Sequence, residues 1–280
     1  MYRDVLVATD GSDVAATAAE YGLEIARTAD AMVHAITVVE SGAAATVESV
    51  SQSRVAAARE RVDAVEADAT SDGVPVLTRV LAGRAGREIL AYAEEHDIDL
   101  LVLGTTGRSG MRRLLTGSVA TVVVRDARQP VLTVGPSVTT VSRPFERILV
   151  ATDGRPGVED AVEQALSLAE AYDATLHALY VVDESRPHLQ VVREEYERVG
   201  AESTREVAAR ADDRGVSTVT AIEGGVPAET IVSYATDHDV DLLVMGTESR
   251  SGLDRLVIGS VSQHVVNTAT VPVLTVRAGD

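Results

Sequence analysis

The sequence contains no cysteine and no lysine, and these two absences exclude several classes of protein. Without cysteine the chain has no disulfide, no thiol nucleophile and no thiolate metal site. Without lysine it has neither a Walker A loop nor the amine of a Schiff-base enzyme. No apolar run reaches the roughly 18 residues that a membrane span needs. The composition predicts a protein without thiol chemistry, P-loop or membrane-spanning segment.

The charge is strongly one-sided. The chain carries 43 acidic residues against 25 basic ones, all of them arginine, for a formal charge of -18. Such a surface repels nucleic-acid phosphates and anionic lipids, so we predict no nucleic-acid partner and no membrane partner. The first residues lack the pattern of a signal peptide, which predicts a cytoplasmic location. The acid excess without lysine predicts a halophile with a high-salt cytoplasm; the alternative is an acidic protein from a GC-rich genome.

The chain is an internal duplication. RDVLVATDGS at 3–12 returns as ERILVATDGR at 146–155, and GTTGRSGMRRLLTGSV at 104–119 returns as GTESRSGLDRLVIGSV at 246–261. Prolines, serines and threonines without helical period mark the connector between the copies. We therefore predict one domain over 1–136, a linker over 137–145 and a second domain over 146–280. Each half is long enough to bury its own core.

Short apolar runs alternate with helical patterns in each half, which predicts five strands with four helices between them. The first-half strands are predicted at 5–8, 33–39, 74–81, 100–103 and 131–134, and the helices at 13–28, 51–69, 85–95 and 118–127. The second half repeats this order at 147–151, 156–171, 175–182, 193–214, 216–222, 228–238, 242–245, 260–268 and 273–276. This pattern favours an α/β fold, a parallel doubly wound sheet in each half. Ligands of such sheets bind outside the carboxyl ends of the strands, where Asp10 and Gly104 are expected.

The glycine-rich loop carries a family resemblance. Its spacing G-x2-G-x9-G-[ST], together with ATDGS after the first strand, resembles the ATP-binding branch of the universal stress protein family over nearly the whole chain, in two copies. The resemblance implies an adenine-nucleotide α-hydrolase-like fold of strand order 3-2-1-4-5. It also implies ATP binding, often with Mg or Mn, in stress response or signalling more than in turnover.

The resemblance also implies the site residues. Asp10 matches the carboxylate at the ribose and adenine end, and Val38 the apolar residue at the base. Glycines beside the ribose and phosphates are followed by a segment around the terminal phosphates. The implied nucleotide-binding set is Ala8, Thr9, Asp10, Val38, Gly104, Gly107, Arg108, Gly117, Ser118 and Val119.

Physical arguments support part of this set and leave alternatives for the rest. Gly117 and Ser118 open a predicted helix, whose free N–H groups and dipole favour a phosphate. Gly104 and Gly107 would supply positive φ or a close backbone approach. Asp10 could instead cap the following helix, and Val38 could simply pack in the core. Arg108 belongs to a loop of local charge +3, suited to phosphate or, alternatively, to carboxylates of neighbouring helices.

The second half predicts a weaker site. Its serine in place of the second motif glycine and its neutral loop both disfavour a triphosphate. Arg155, in place of Ser12, would compensate in part if it turned toward the cleft. The residues of this second, weaker site are Asp153, Val181, Gly246, Ser249, Arg250, Gly259, Ser260 and Val261.

We predict no catalytic residue and no protein metal site. His34 and His177 repeat on a strand, and His96 and His238 at a helix end, without ligand spacing, so packing roles are predicted. Turnover is expected to be at most slow ATP hydrolysis. The open alternatives are an adenylyl-transferring or hydrolysing enzyme of the same superfamily, whose first loop departs from ATDGSD, and a nucleotide-free interaction protein.

The last strand of each half is apolar and would lie at a sheet edge, which proteins normally cover. We expect antiparallel pairing of these two edges in an intramolecular pseudo-dimer. The family resemblance implies this arrangement, because family members with one domain are expected to pair in the same way as homodimers. A homodimer of the whole chain is the further assembly to consider.

Overall fold

The computed structural model describes residues 1–42, 46–105, 118–138, 144–155, 157–185, 190–247 and 259–279. The chain divides into two compact units, Met1–Val141 and Ser142–Asp280.

The first unit is a five-stranded parallel sheet of order β3-β2-β1-β4-β5. Its strands are β1 (Asp4–Ala8), β2 (Met32–Glu40), β3 (Val76–Gly83), β4 (Leu100–Gly104) and β5 (Val131–Val134). Its helices are α1 (Asp13–Ala29), α2 (Gln52–Ser71), α3 (Ala85–Glu95) and α4 (Ser118–Asp126), with a short 3₁₀ turn at Val47–Ser49.

The second unit repeats this topology as β8-β7-β6-β9-β10, again with parallel pairings. Its strands are β6 (Arg147–Thr152), β7 (Thr175–Asp183), β8 (Thr218–Gly225), β9 (Leu242–Gly246) and β10 (Val273–Val276). Its helices are α5 (Glu159–Tyr172), α6 (Gln190–Asp212), α7 (Pro227–Asp237) and α8 (Ser260–Thr268).

The predicted fold class and the strand order 3-2-1-4-5 are confirmed in both units. Most boundaries agree with the prediction within two residues, and three differ by three residues: the starts of α5 and α6 and the end of β8. Two of the differences, at β3 and α5, have identifiable reasons. Val74 does not open β3, because its N–H donates to the Ala69 carbonyl and closes the end of α2. Helix α5 begins at Glu159 and not at 156, three positions later than the start of α1 at Asp13 when the copies are aligned.

The central strand of each sheet is covered on both faces. Val5, Leu6 and Val7 on β1 are fully buried, as are Ile148, Leu149 and Val150 on β6. This complete burial explains why these strands read as continuous apolar runs and not as alternating ones.

Four aspartates adopt positive φ, and each follows a helix that precedes a strand: Asp30, Asp97, Asp173 and Asp239. The first and third are the left-handed C-caps of α1 and α5, and their N–H groups bond to the last turn of the helix. Glycine is the usual residue at this position, and aspartate is among the few others that tolerate it. Within the described residues, no helix is both long enough and apolar enough to cross a membrane.

Candidate functional site

In the first unit the residues predicted at the site meet at the carboxyl ends of neighbouring strands. Ala8 pairs with Ile36 of β2 on one side and with Leu103 of β4 on the other. Thr9 extends the ladder by one bond, donating its N–H to the Ile36 carbonyl at 2.9 Å. Asp10 therefore follows the end of β1 directly beside the end of β4, where the strand order reverses.

Asp10 is not the N-cap of α1, so that alternative was wrong in its residue. The cap is Ser12, whose Oγ accepts from the Ala15 N–H at 3.3 Å. Asp10 holds the cap in place: its Oδ1 accepts from Ser12 Oγ at 2.6 Å and from Ser12 N–H at 3.0 Å. Because the turn fixes its carboxylate, Asp10 presents a half-buried acceptor at this edge of the sheet.

Gly104 is required for packing against α1. Its backbone is outside the positive-φ region, so of the two reasons predicted for this glycine only the close backbone approach applies. A Cβ atom at this position would lie 3.0 Å from Val14 Cγ1 and 3.2 Å from the Ala15 nitrogen. The close approach that glycine allows is therefore that of the first turn of α1 to the end of β4.

The remaining first-unit residues divide into two groups. Val38 and Val119 are half-buried, and α4 begins at Ser118, which confirms that a helix opens at the end of the glycine loop. Its first-turn N–H groups are the feature that suits an anion. Gly107, Arg108 and Gly117 lie outside the described residues.

The equivalent turn of the second unit has a different geometry. Asp153 Oδ1 accepts from the Arg155 N–H at 3.1 Å, and Arg155 Nε lies 3.7 Å from Asp153 Oδ2. The Asp153 side chain is 64% exposed, whereas Asp10 is half-buried. Arg155 thus contacts the carboxylate of its own turn, and no side chain caps α5. Gly246 is also less crowded than Gly104, since a Cβ atom there would meet no atom of the described residues closer than 3.9 Å.

Helix α8 presents a well-defined N-terminus at the end of β9. Gly259 is its N-cap, and no side chain of a described residue caps the helix. The Gly259 N–H donates to the Thr247 carbonyl at 3.0 Å. Ser260 is exposed and Val261 half-buried at the first two helical positions, and Val181 on β7 is half-buried as well. The start of this helix can accept an anion in the second unit. Ser249 and Arg250 lie outside the described residues.

The repeated histidines form a cluster near the amino ends of the strands, away from the predicted site. His34 Nδ1 is 2.9 Å from the Tyr92 hydroxyl, and Tyr92 stacks on His96 with ring centroids 3.9 Å apart. A carboxylate is nevertheless near, because His34 Nε2 lies 3.1 Å from Asp4 Oδ1. His177 makes the corresponding 3.1 Å contact with the Tyr234 hydroxyl, and the ring of Tyr234 stacks on His238. Among the described residues, no three His, Asp or Glu side chains group as metal ligands.

Two residues at this edge were missed from the sequence. Ser12 was passed over because Asp10 is also a cap former; its position directly before the helical pattern was the available signal. Arg61 of α2 packs over Gly11, and its only signal was the lack of acidic residues one helical turn away on either side.

The fold defines a doubly wound α/β protein, with the candidate site at the carboxyl ends of the first and fourth strands of each unit. The model of the universal stress protein family matches residues 1–135 and 144–277. The chain belongs to that family, as the glycine spacing predicted, and carries two of its domains in tandem.

Known relatives agree with this assignment. Universal stress protein MJ0531 of Methanocaldococcus jannaschii is 38% identical over 140 residues, which cover 48% of this chain and 82% of that protein. Universal stress protein YxiE of Bacillus subtilis is 31% identical over 147 residues, covering 48% and 99%. A universal stress protein structure from Archaeoglobus fulgidus superposes with a TM-score of 0.75 at 22% identity, covering 99% of this chain and 98% of the other. This last similarity concerns the fold.

Proposed function

We propose that the first unit binds ATP at the edge formed by the Asp10 turn, Gly104 and the start of α4. The observation that carries the proposal is the fixed Asp10 carboxylate beside the end of β4, on the same edge as the opening of α4 at Ser118. A carboxylate oriented by two hydrogen bonds can accept further hydrogen bonds from ribose hydroxyls, and the N–H groups at the start of a helix can bind phosphates. A divalent ion, Mg or Mn, would be bound mainly through the phosphate oxygens.

Binding without rapid turnover is the role that fits this edge best. The described part of the site supplies a carboxylate engaged in its own turn, glycine and helical N–H groups, which position a ligand. We therefore propose a nucleotide-dependent stress-response or signalling protein of the cytoplasm, with at most slow ATP hydrolysis. Under this proposal the bound state of the nucleotide is the signal.

We propose further that the second unit binds ATP at least tenfold more weakly. Asp153 is exposed and lies beside Arg155, so a ribose would compete with an existing contact. Helix α5 begins only at Glu159, so Gly246 has no helical turn beside it like the one that packs on Gly104. A loss of about 1.4 kcal/mol in binding free energy already lowers the affinity tenfold. The second unit would then hold a less charged nucleotide such as AMP, or none.

Paired glycine variants test both proposals. Gly117→Val should abolish tight ATP binding in calorimetry, because a branched side chain directly before the first residue of α4 would obstruct the proposed phosphate-binding position. Gly259→Val is the matched change in the second unit and should leave the tight site intact. Acid extraction of the purified protein should release adenine nucleotide.

Three outcomes would contradict the proposal in distinguishable ways. Unchanged ATP affinity in Gly117→Val would remove the site from the first unit, and a larger loss in Gly259→Val would reverse the order of the two sites. Absence of any nucleotide binding would favour a nucleotide-free interaction protein. Fast release of pyrophosphate or phosphate from bound ATP would favour an adenylyl-transferring or hydrolysing enzyme.

A further inference from the structure

The two units differ most in the layer between sheet and helix directly behind the site turn. In the first unit Gly11 has φ +76°, and a Cβ atom there would lie 3.0 Å from Arg61 Cγ and 3.6 Å from Arg61 Nε. The aliphatic stem of Arg61 therefore rests on Gly11, and α2 carries its guanidinium alongside the Asp10–Gly11 turn.

The second unit fills the same layer with different side chains. A shift of 142 residues aligns Gly73 with Gly215 and also aligns Arg61 with Ser203. Ser203 Oγ is 2.8 Å from Thr152 Oγ1, and Tyr180 packs close to Gly154, whose Cβ would lie 3.7 Å from the Tyr180 ring. The second unit thus has an aromatic ring and a hydroxyl where the first has an arginine.

The first unit leaves two polar atoms of this layer without partners among the described residues. They are Arg61 Nε and Thr37 Oγ1, both buried. Thr37 lies on the face of β2 opposite His34, whose ring contacts Tyr92 of α3. Its equivalent in the second unit, Tyr180, packs on Gly200 of α6. The Thr37 side chain therefore lies on the face of β2 that packs against α2, the equivalent of α6. Buried polar atoms normally have partners, so this layer lacks a hydrogen-bonding group that a ligand or water would supply.

Arg61 also forms no ion pair with another described residue. The residues one helical turn away on α2 are Ala57, Ala58, Ala64 and Val65, so the helix provides no carboxylate for it. Other arginines of the described chain have such partners, for example Arg27 with Glu24 at 2.7 Å and Arg214 with Glu163 at 2.6 Å. In a chain of charge -18, a half-buried arginine that has no ion pair within the described ranges is suited to receive an anion.

We propose that Arg61 is a ligand-binding residue of the first unit, where its guanidinium holds a phosphate group of the bound nucleotide and selects nucleotides over nucleosides. This inference rests on the proposed function, since it names the residue that gives that site its preference for phosphate. Ser203 at the equivalent position gives the second unit no such preference.

The test compares Arg61→Met with Arg59→Met. Methionine keeps an unbranched stem over Gly11 and removes the charge; Arg59 is exposed on the same helix, so its variant has the same net charge. Calorimetry with ATP and with adenosine should show at least a tenfold loss of ATP affinity in Arg61→Met, unchanged adenosine affinity, and no change in Arg59→Met. Arg61→Lys should retain most of the ATP affinity.

The outcomes separate this inference from the proposed function. ATP binding that is equal in wild type, Arg61→Met and Arg59→Met would overturn the role of Arg61 and leave the site in place. Equal losses for ATP and adenosine in Arg61→Met would also overturn it, because they would show a structural support of the turn. Failure of the wild type to bind either ligand would overturn both proposals.

Discussion

Gly104 and Gly246 occupy the same motif position and have different surroundings. An added Cβ atom would be crowded by α1 at Gly104, whereas at Gly246 it would make only ordinary contacts with described residues, at 3.9 and 4.0 Å. Packing against α1 therefore requires glycine at position 104, whereas packing among the described residues does not require it at position 246.

We predict that Gly104→Ala destabilises the protein by about 1–3 kcal/mol, because the new methyl group overpacks against backbone atoms that cannot rotate away. Gly246→Ala should change the free energy of unfolding by less than about 0.5 kcal/mol. Urea unfolding at one fixed salt concentration measures both. Equal effects in the two variants would show that the close approach of α1 does not constrain Gly104.

At the residue scale, the sequence predicts where the motif residues lie, and it predicts less well which contacts they make. The spacing predicted Asp10 and Gly104 at the carboxyl ends of neighbouring strands, where the structure places them. The prediction passed over Ser12 as the cap, although the position of Ser12 directly before the helical pattern was an available signal. It could not show that Arg61 covers Gly11, because that contact depends on which helix faces which turn. The roles of Gly107, Arg108 and Gly117 stay predictions.

At the scale of elements, the two histidines His34 and His177 occupy equivalent positions on β2 and β7, and their surroundings differ in one charge. Asp4 on β1 faces His34, whereas its equivalent Arg147 on β6 lies near His177. Burial lowers the pKa of His177, and the nearby charges of His238 and Arg147 lower it further. The folded second unit therefore disfavours a protonated His177.

The sign of the pH dependence follows from this shift. His177 binds its proton more readily in the unfolded chain, so its contribution to stability is complete above the unfolded pKa of about 6.5 and is lost as the pH falls below it. We predict that Arg147→Asp reduces this acid-induced loss, because it replaces a repelling charge by an attracting one. Thermal unfolding between about pH 7.5 and 5.5 provides the measurement.

Arg155→Asp is the control for that experiment. It introduces the same charge change in the exposed turn of the second unit, away from the histidine cluster. If both variants showed the same pH profile, the change would reflect net charge, and the proximity of Arg147 to His177 would have no part in it.

Periodicity predicted the elements well because burial on both faces produces short apolar runs separated by helical stripes. All five strands and four helices of each half were predicted, and most boundaries agree within two residues. The late start of α5 was missed because the repeat was assumed to be strict, although Pro156 and Gly157 replace Asp13 and Val14. Local residues outweighed the symmetry there.

At the scale of the molecule, net charge is the dominant physical property. A charge of -18 on 280 residues repels itself strongly in dilute buffer. Molar salt shortens the range of that repulsion to about 3 Å. The composition could predict this behaviour because it depends on counts of residues. The pairing of the two edge strands and a homodimer depend on geometry and stay predictions.

We predict that the melting temperature rises continuously between about 0.1 M and 2 M KCl. The measurement should use nucleotide-free protein, because salt also weakens the binding of a charged ligand. A matched series in sucrose separates screening from general exclusion of solutes. A flat KCl curve, or an equal rise in sucrose, would count against adaptation to a high-salt cytoplasm.

The duplication also orders the history of this chain. The His–Tyr–His cluster and the aspartates at positive φ are the same in both units, so the simplest history places them in the single-domain ancestor. Arg61 against Ser203 and Thr37 against Tyr180 differ, so the two copies have diverged in this layer. Once two copies shared one gene, a mutation could alter one copy without altering the other. The two copies can therefore carry different side chains behind the Asp10 and Asp153 turns while they keep the same fold.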